Sequence, residues 1–249
     1  MDKAKILSYI PEPFNLDFTI ITHYTDLASL KYPVIFKPVI CSGNGKGVAK
    51  INSVEQATAY MNGSKEERII SQQLYESKYE VGVLYEKDPL NKKGKIKSIV
   101  VKDIIGSEWA PQQCSTSLKS SSTCYNIPIT KEINDSINYI SNKIPYFYAG
   151  RYDIRFNNLN DFFAGKNFKV LELNGVMGFD LNTSILSVSS MKDALQNLLP
   201  WVGRRIVIGF KNICRLRGTN IIHALNMGSK YKTWRKCKDY EHIFKPSSA

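Results

Sequence analysis

Three short segments hold side chains suited to anion and cation chemistry. Gly150-Arg-Tyr-Asp-Ile-Arg155 alternates charge with bulk. On a strand, alternate side chains share a face, so Arg151, Asp153 and Arg155 fall together, opposite Tyr152, Ile154 and Phe156. Two arginines around one aspartate suit anions and a cation held side by side. A solvated hairpin face with a weak surface ion pair is the plainer account of that segment taken alone. Phe168-Lys-Val-Leu-Glu-Leu-Asn174 places Glu172 and Asn174 two apart in an apolar strand, where a carboxylate is costly unless paired or bound to a cation. Carboxylate and amide oxygens are the ligands Mg²⁺ takes, usually beside nucleotide phosphates. A Glu satisfied by Arg151 or Arg155 is the structural alternative. Cys41-Ser-Gly-Asn-Gly-Lys-Gly47 follows Lys37 and offers unhindered N–H groups and an ammonium for phosphate oxygens. It is not a Walker A loop, because Lys46 precedes Gly47 and not Ser or Thr.

These segments need elements to carry them. Tyr32 to Lys37 reads as a buried strand, and Ser53-Val-Glu-Gln56 as a capping box opening a helix to about Gly63. Arg68–Leu74, Tyr79–Tyr85 and Lys95–Lys102 read as strands, with a polar turn across 88–94. Residues 106–129 lack periodicity. Thr130 caps a helix whose stripe is Ile133, Ile137, Ile140 and Ile144, stopped by Pro145. Tyr148–Phe156 and Phe168–Leu173 are strands, and 191 to about 216 is helical. Residues 1–30 read as a short helix and an extended lead-in. The mixture predicts an α+β fold.

Composition bounds the function classes. The chain has 249 residues, 43% hydrophobic and 22% charged, which excludes a disordered or fibrous protein. No apolar run reaches the ~20 residues of a membrane span, and the N-terminus shows no signal peptide. Five cysteines without CxxC spacing point to reduced thiols, a cytosol-like compartment and no zinc site. The net charge of +12 is concentrated: residues from 200 onward carry +9, the rest +3. Trp201, Phe210, Tyr231, Trp234 and Tyr240 lie among those basic residues. A nucleic-acid patch is one reading; an amphipathic helix lying on the body is favoured. Cys41 has no base in sequence reach and is not taken as a nucleophile.

The order of the pieces resembles the ATP-grasp family, D-alanine–D-alanine ligase-like branch. That order is strand–Lys37–Pro, the glycine loop, Gln72-Gln73-Leu74-Tyr75 with Glu80, Arg151-x-Asp153, then Glu172-x-Asn174. It covers roughly residues 30 to 185. The resemblance implies two small subdomains clamping ATP between antiparallel sheets: 30–105 and 106–200, after a lead-in of 1–29 and before a basic helical tail of 201–249. It implies that Lys37 contacts the α-phosphate or adenine side, and that the loop of Ser42, Gly43, Gly45, Lys46 and Gly47 closes over the β- and γ-phosphates. Gln72, Gln73, Leu74 and Tyr75 would read the adenine edge, Glu80 the ribose, and Lys102 the phosphate tail. Asp153, Glu172 and Asn174 would hold two Mg²⁺ ions. Arg151 would stabilise the oxyanion, with Arg155 and a backbone N–H near Gly178 in the same catalytic group.

The implied activity is Mg-ATP-dependent ligation of a carboxylate to an amine through an acyl phosphate. The alternatives are a phosphotransferase, a non-catalytic nucleotide-binding module and a nucleic-acid binder. The sequence also departs from the branch. About 30 residues precede the Lys37 strand where a domain of ~100 is usual, which leaves three readings: a minimal enzyme, a fragment, or a site completed by a partner chain or homodimer. Gln72 replaces an acidic hinge residue. Gly175-Val-Met-Gly-Phe179 replaces Asn-Thr-x-Pro-Gly, which disfavours D-alanine as substrate.

Overall fold

A computed structural model describes residues 2–40, 47–64, 66–103, 125–176, 178 and 191–217. Four of the helices open on a capping side chain. Asp2 opens α1 (Lys3–Leu7) by accepting from the Lys5 N–H at 3.0 Å. After β1 (Phe18–Ile21), a 3-10 turn (Tyr24–Ser29), β2 (Val34–Pro38) and β3 (Ala49–Ile51), Ser53 caps α2 (Val54–Gly63). β4 (Ile69–Gln73), β5 (Tyr79–Glu86), β6 (Lys95–Asp103) and β7 (Tyr125–Asn126) follow. Thr130 caps α3 (Lys131–Lys143), whose Ile133, Ile137 and Ile140, with Ile144 just beyond, are all buried. β8 (Ala149–Phe156), α4 (Leu159–Phe163), β9 (Phe168–Asn174) and α5 (Met191–Arg217) complete the order.

The strands form two antiparallel sheets, the α+β arrangement expected. The first runs β1-β4-β2-β3 and the second β7-β6-β5-β8-β9. The strands change sheet between Gln73 and Tyr79, not near residue 105. β5 and β6 join the second sheet because Val81, Val83 and Tyr85 share one core with Ile99, Val101, Tyr152, Ile154 and Phe156. The first sheet packs Val34, Phe36, Ile51 and Ile69 against Ala57 of α2.

Residues 2–14 are more than a lead-in, and β1 is an edge strand of the first sheet. The Lys3 N–H donates to Val39 O at 3.1 Å, and Asp2 pairs with Arg68 at 3.2 Å, both on the first-sheet side. Ala4 and Leu7 pack on Val39 and Ile70. Phe14 then stacks on Phe168 of the second sheet at 4.6 Å, and its carbonyl accepts from the Val170 N–H at 2.8 Å. This segment ties both sheets together.

The basic region is described as far as 217. There α5 lies on the body, its Trp201 and Arg205 buried. Arg204 meets Glu86 at 3.2 Å, Arg205 meets it at 3.8 Å, Lys211 pairs with Asp88, and Arg215 donates to the Tyr148 hydroxyl at 2.6 Å. Those cations serve the fold as an amphipathic helix would. Among the described residues no helix is long and apolar enough to cross a membrane.

Candidate active site

β8 alternates as its sequence requires: Tyr152, Ile154 and Phe156 are fully buried, while Arg151, Asp153 and Arg155 lie on the half-open face. β9 does not alternate evenly. Val170 and Leu173 are three apart yet both belong to the core, so the strand must carry one extra residue. The register shows it: Asp153 pairs with Glu172, then Ile154 with Val170. This bulge at Leu171 turns both Glu172 and Asn174 onto the face of Asp153 and Arg151.

Across that face the register sets three rungs. Leu84, Arg151 and Asn174 form one; Gly82, Asp153 and Glu172 the next; Glu80, Arg155 and Lys169 the third. At the first two rungs, Arg151 Nε donates to Asp153 Oδ1 at 2.9 Å and its Nη2 to Oδ2 at 3.2 Å. Asn174 Nδ2 donates to the same Oδ2 at 2.8 Å. Glu172 Oε1 is held by Lys3 Nζ at 3.1 Å.

The first sheet contributes a buried ammonium. Lys37 Nζ, on a side chain 4% exposed, donates to Gln72 Oε1 at 2.7 Å and to Leu171 O at 3.0 Å. The bulge therefore also supplies the carbonyl that receives Lys37. Burial lowers the Lys37 pKa from 10.5 to about 8; Lys3 lowers it further, while Glu172 and Asp153 pull the other way.

The third rung is different chemistry. Arg155 Nε and Nη2 donate to Glu80 Oε2 at 3.0 and 2.9 Å, and Nη1 donates to Tyr75 O at 3.2 Å. Four residues separate Arg155 from Arg151, about 13 Å of strand. Arg155 was grouped with Arg151 from sequence; the structure puts it with Glu80 and the 74–78 connection instead. Lys102 is the register partner of Glu80, on that same side, and its side chain lies outside the described residues.

The remaining expected residues divide as follows. Gln72 is buried, and its amide oxygen faces Lys37. Gln73, Leu74 and Tyr75 form the exit from β4 between the two sheets. Ser42, Gly43, Gly45 and Lys46 lie outside the described residues, as does most of 106–129. Gly47 follows with φ +76°, and a Cβ there would come 2.9 Å from Pro38 Cγ, so only glycine suits the turn. Gly178 lies against Arg151: an added Cβ would stand 3.0 Å from Asn174 O and 3.1 Å from Arg151 N. Its N–H donates to Gly175 O at 2.7 Å, so that donor closes a turn. Sequence reading missed Lys3 altogether. No motif marks it; only the packing of α1 on both sheets brings it to Glu172.

Asp153, Glu172 and Asn174 offer two carboxylates and an amide oxygen within one register step. That donor set fits a hard divalent cation such as Mg²⁺. Among the described residues no group of three or more His, Cys, Asp or Glu side chains could hold a metal ion.

No protein-family model and no curated protein sequence matches the chain. Solved structures do. The D-alanine–D-alanine ligase from Coxiella burnetii superposes with a TM-score of 0.51 at 12% identity, over 94% of this chain and 60% of its own. VanG D-Ala:D-Ser ligase from Enterococcus faecalis gives 0.52 at 14% identity, over 84% and 61%. The ATP-grasp ligase PsnB, solved with a minimal precursor, gives 0.50 at 13%, over 82% and 60%. The chain has the ATP-grasp fold that those structures share. It spans about three-fifths of the length of those structures.

Proposed function

We propose that this chain is a Mg-ATP-dependent carboxylate–amine ligase. The observation that carries the reading is the convergence of Asp153, Glu172, Asn174 and Arg151 with Lys37 of the facing sheet. ATP lies between the sheets. Its adenosine end is set by residues 72–75 and Glu80, which Arg155 holds in place. Its phosphates run toward Lys37, and the strands of residues 18–73 and 79–174 form the two jaws.

Asp153, Glu172 and Asn174 would hold Mg²⁺. When bound, the metal neutralises charge on the β- and γ-phosphates. The substrate carboxylate oxygen bonds to the γ-phosphorus, the bond to the β–γ bridging oxygen breaks, and ADP leaves. The amine nitrogen then bonds to the acyl carbon, the carbon–oxygen bond to phosphate breaks, and the amine gives its proton to solvent. The products are an amide, ADP and phosphate. Arg151, oriented by Asp153 through Nε and Nη2, would stabilise the developing oxyanion, a contribution on the order of ~2.7–4 kcal/mol for one such donor. No nucleophile of the protein is needed.

The test is ADP release against a panel of carboxylates and amines. The ligase reading expects ADP only when a carboxylate and an amine are both present. ADP release with one acceptor alone would make the chain a phosphotransferase. Mg-ATP binding without ADP release under any pairing would make it a nucleotide-binding module.

A further inference from the structure

We propose that Lys3 is a built-in counterion that occupies Glu172 until a divalent cation displaces it. This rests on the reading of Glu172 as a metal ligand. Lys3 is 5% exposed on its side chain, and its ammonium is 3.1 Å from Glu172 Oε1. It reaches there from α1, outside both sheets, because its own backbone is pinned: its N–H donates to Val39 O, and its neighbour Asp2 pairs with Arg68. The anchor is rigid and the four-carbon stem is not. Only the side chain has to swing away for Glu172 to change partner.

The position has a clear energetic logic. A carboxylate in an apolar strand is costly without a positive partner. Asp153 has Arg151 and Asn174 as donors; Glu172 has Lys3. Lys37, the other ammonium nearby, is directed at Gln72 and Leu171 O. A metal ion and the Lys3 ammonium therefore compete for one oxygen. Lys3 acts through Glu172, so it is a positioning residue that sets metal affinity.

The experiment measures binding of Mn²⁺, which takes the same oxygen ligands as Mg²⁺, from the electron paramagnetic resonance of the free ion. Wild type, Lys3→Met, Lys3→Arg and Glu172→Gln are compared. If Lys3 holds Glu172 about 90% of the time, Lys3→Met tightens Mn²⁺ binding ~tenfold, while Lys3→Arg stays near wild type. Lys3→Met with wild-type Mn²⁺ affinity and weakened ATP binding would overturn the proposal and make Lys3 a phosphate contact. Loss of binding in Glu172→Gln with no change in Lys3→Met would overturn it while leaving the metal site standing. No Mn²⁺ binding in wild type would sink the metal site and the proposal together. A second readout needs no variant. Acylation of Lys3 in wild type, followed by mass spectrometry, should speed up several-fold when Mn²⁺ takes Glu172. Binding of Mn²⁺ with unchanged Lys3 labelling would count against displacement.

Discussion

The two ends of the β8–β9 face carry similar charges and are built differently. At the Arg155 end, one guanidinium meets one carboxylate with two nitrogens and spends a third donor on a main-chain carbonyl. That is a closed pair with planar, charge-assisted geometry, suited to holding a shape. At the Arg151 end, two carboxylates are satisfied by three donors from β8, β9 and α1, beside a bulge. There Asp153 is shared by Arg151 and Asn174, and Glu172 takes a lysine that reaches in from α1. A pair locks a backbone; an assembled set of oxygens can exchange its partners for a ligand. On the proposed reading, that difference separates a positioning arginine from the groups that would bind metal and phosphate.

Substitutions at each end should fail in different ways. Glu172→Gln and Asp153→Asn should lower ADP formation by ~10³-fold or more, since several kcal/mol of charge stabilisation go with the metal. Glu172→Gln also strands the Lys3 ammonium, so its melting temperature should fall. Adding Lys3→Met to Glu172→Gln should restore part of that stability, because the buried charge left unpaired is then gone. Arg151→Ala should lower kcat by ~10²–10³ with KM for ATP within about threefold. An equal loss in both would assign Arg151 to structure. Arg155→Ala should do the reverse, raising KM for ATP about tenfold with kcat within about twofold. If Arg155→Ala instead behaved like Arg151→Ala, the two ends would be one site.

A further expectation is a pH dependence that involves neither end of the face. The folded chain holds the Lys37 pKa near 8, below its ordinary 10.5, so between those values the unfolded chain binds the extra proton. Stability from this group therefore rises with pH across that window. Nucleotide affinity moves the other way. A neutral amine attracts phosphate less, so affinity should fall above pH 8 by up to about tenfold per unit. Titration of ATP binding between pH 7 and 9.5 checks it, and Lys37→Met should flatten the profile.

Most of the scaffold was readable because its signals are local. Alternation marked the buried face of β8, Thr130 and the isoleucine stripe marked α3, and Ser53 marked α2. The side chains that meet at Asp153 were also readable, since Arg151, Asp153 and Asn174 come from two neighbouring strands. What escaped was non-local. β5 pairs with β8 some seventy residues away, so the change of sheet at 74–78 carries no local signal. The bulge was written in the spacing of Val170 and Leu173, but it becomes evident only when both are known to face one core. Arg155 looked equivalent to Arg151 because sequence gives the face and not the partner across the ladder. Lys3 had no signal at all, since its role comes from where α1 packs.

The central claim is that the Arg151 end is a metal and phosphate site. Thermal unfolding of wild type and Glu172→Gln, each with ATP alone and with Mg-ATP, tests it most directly. At about 100 times its Kd, Mg-ATP should add ~2.7 kcal/mol, a rise of a few degrees in Tm. The account expects that rise to need the metal in wild type and to vanish in Glu172→Gln. An equal rise in both proteins would mean that Glu172 serves only as the partner of Lys3.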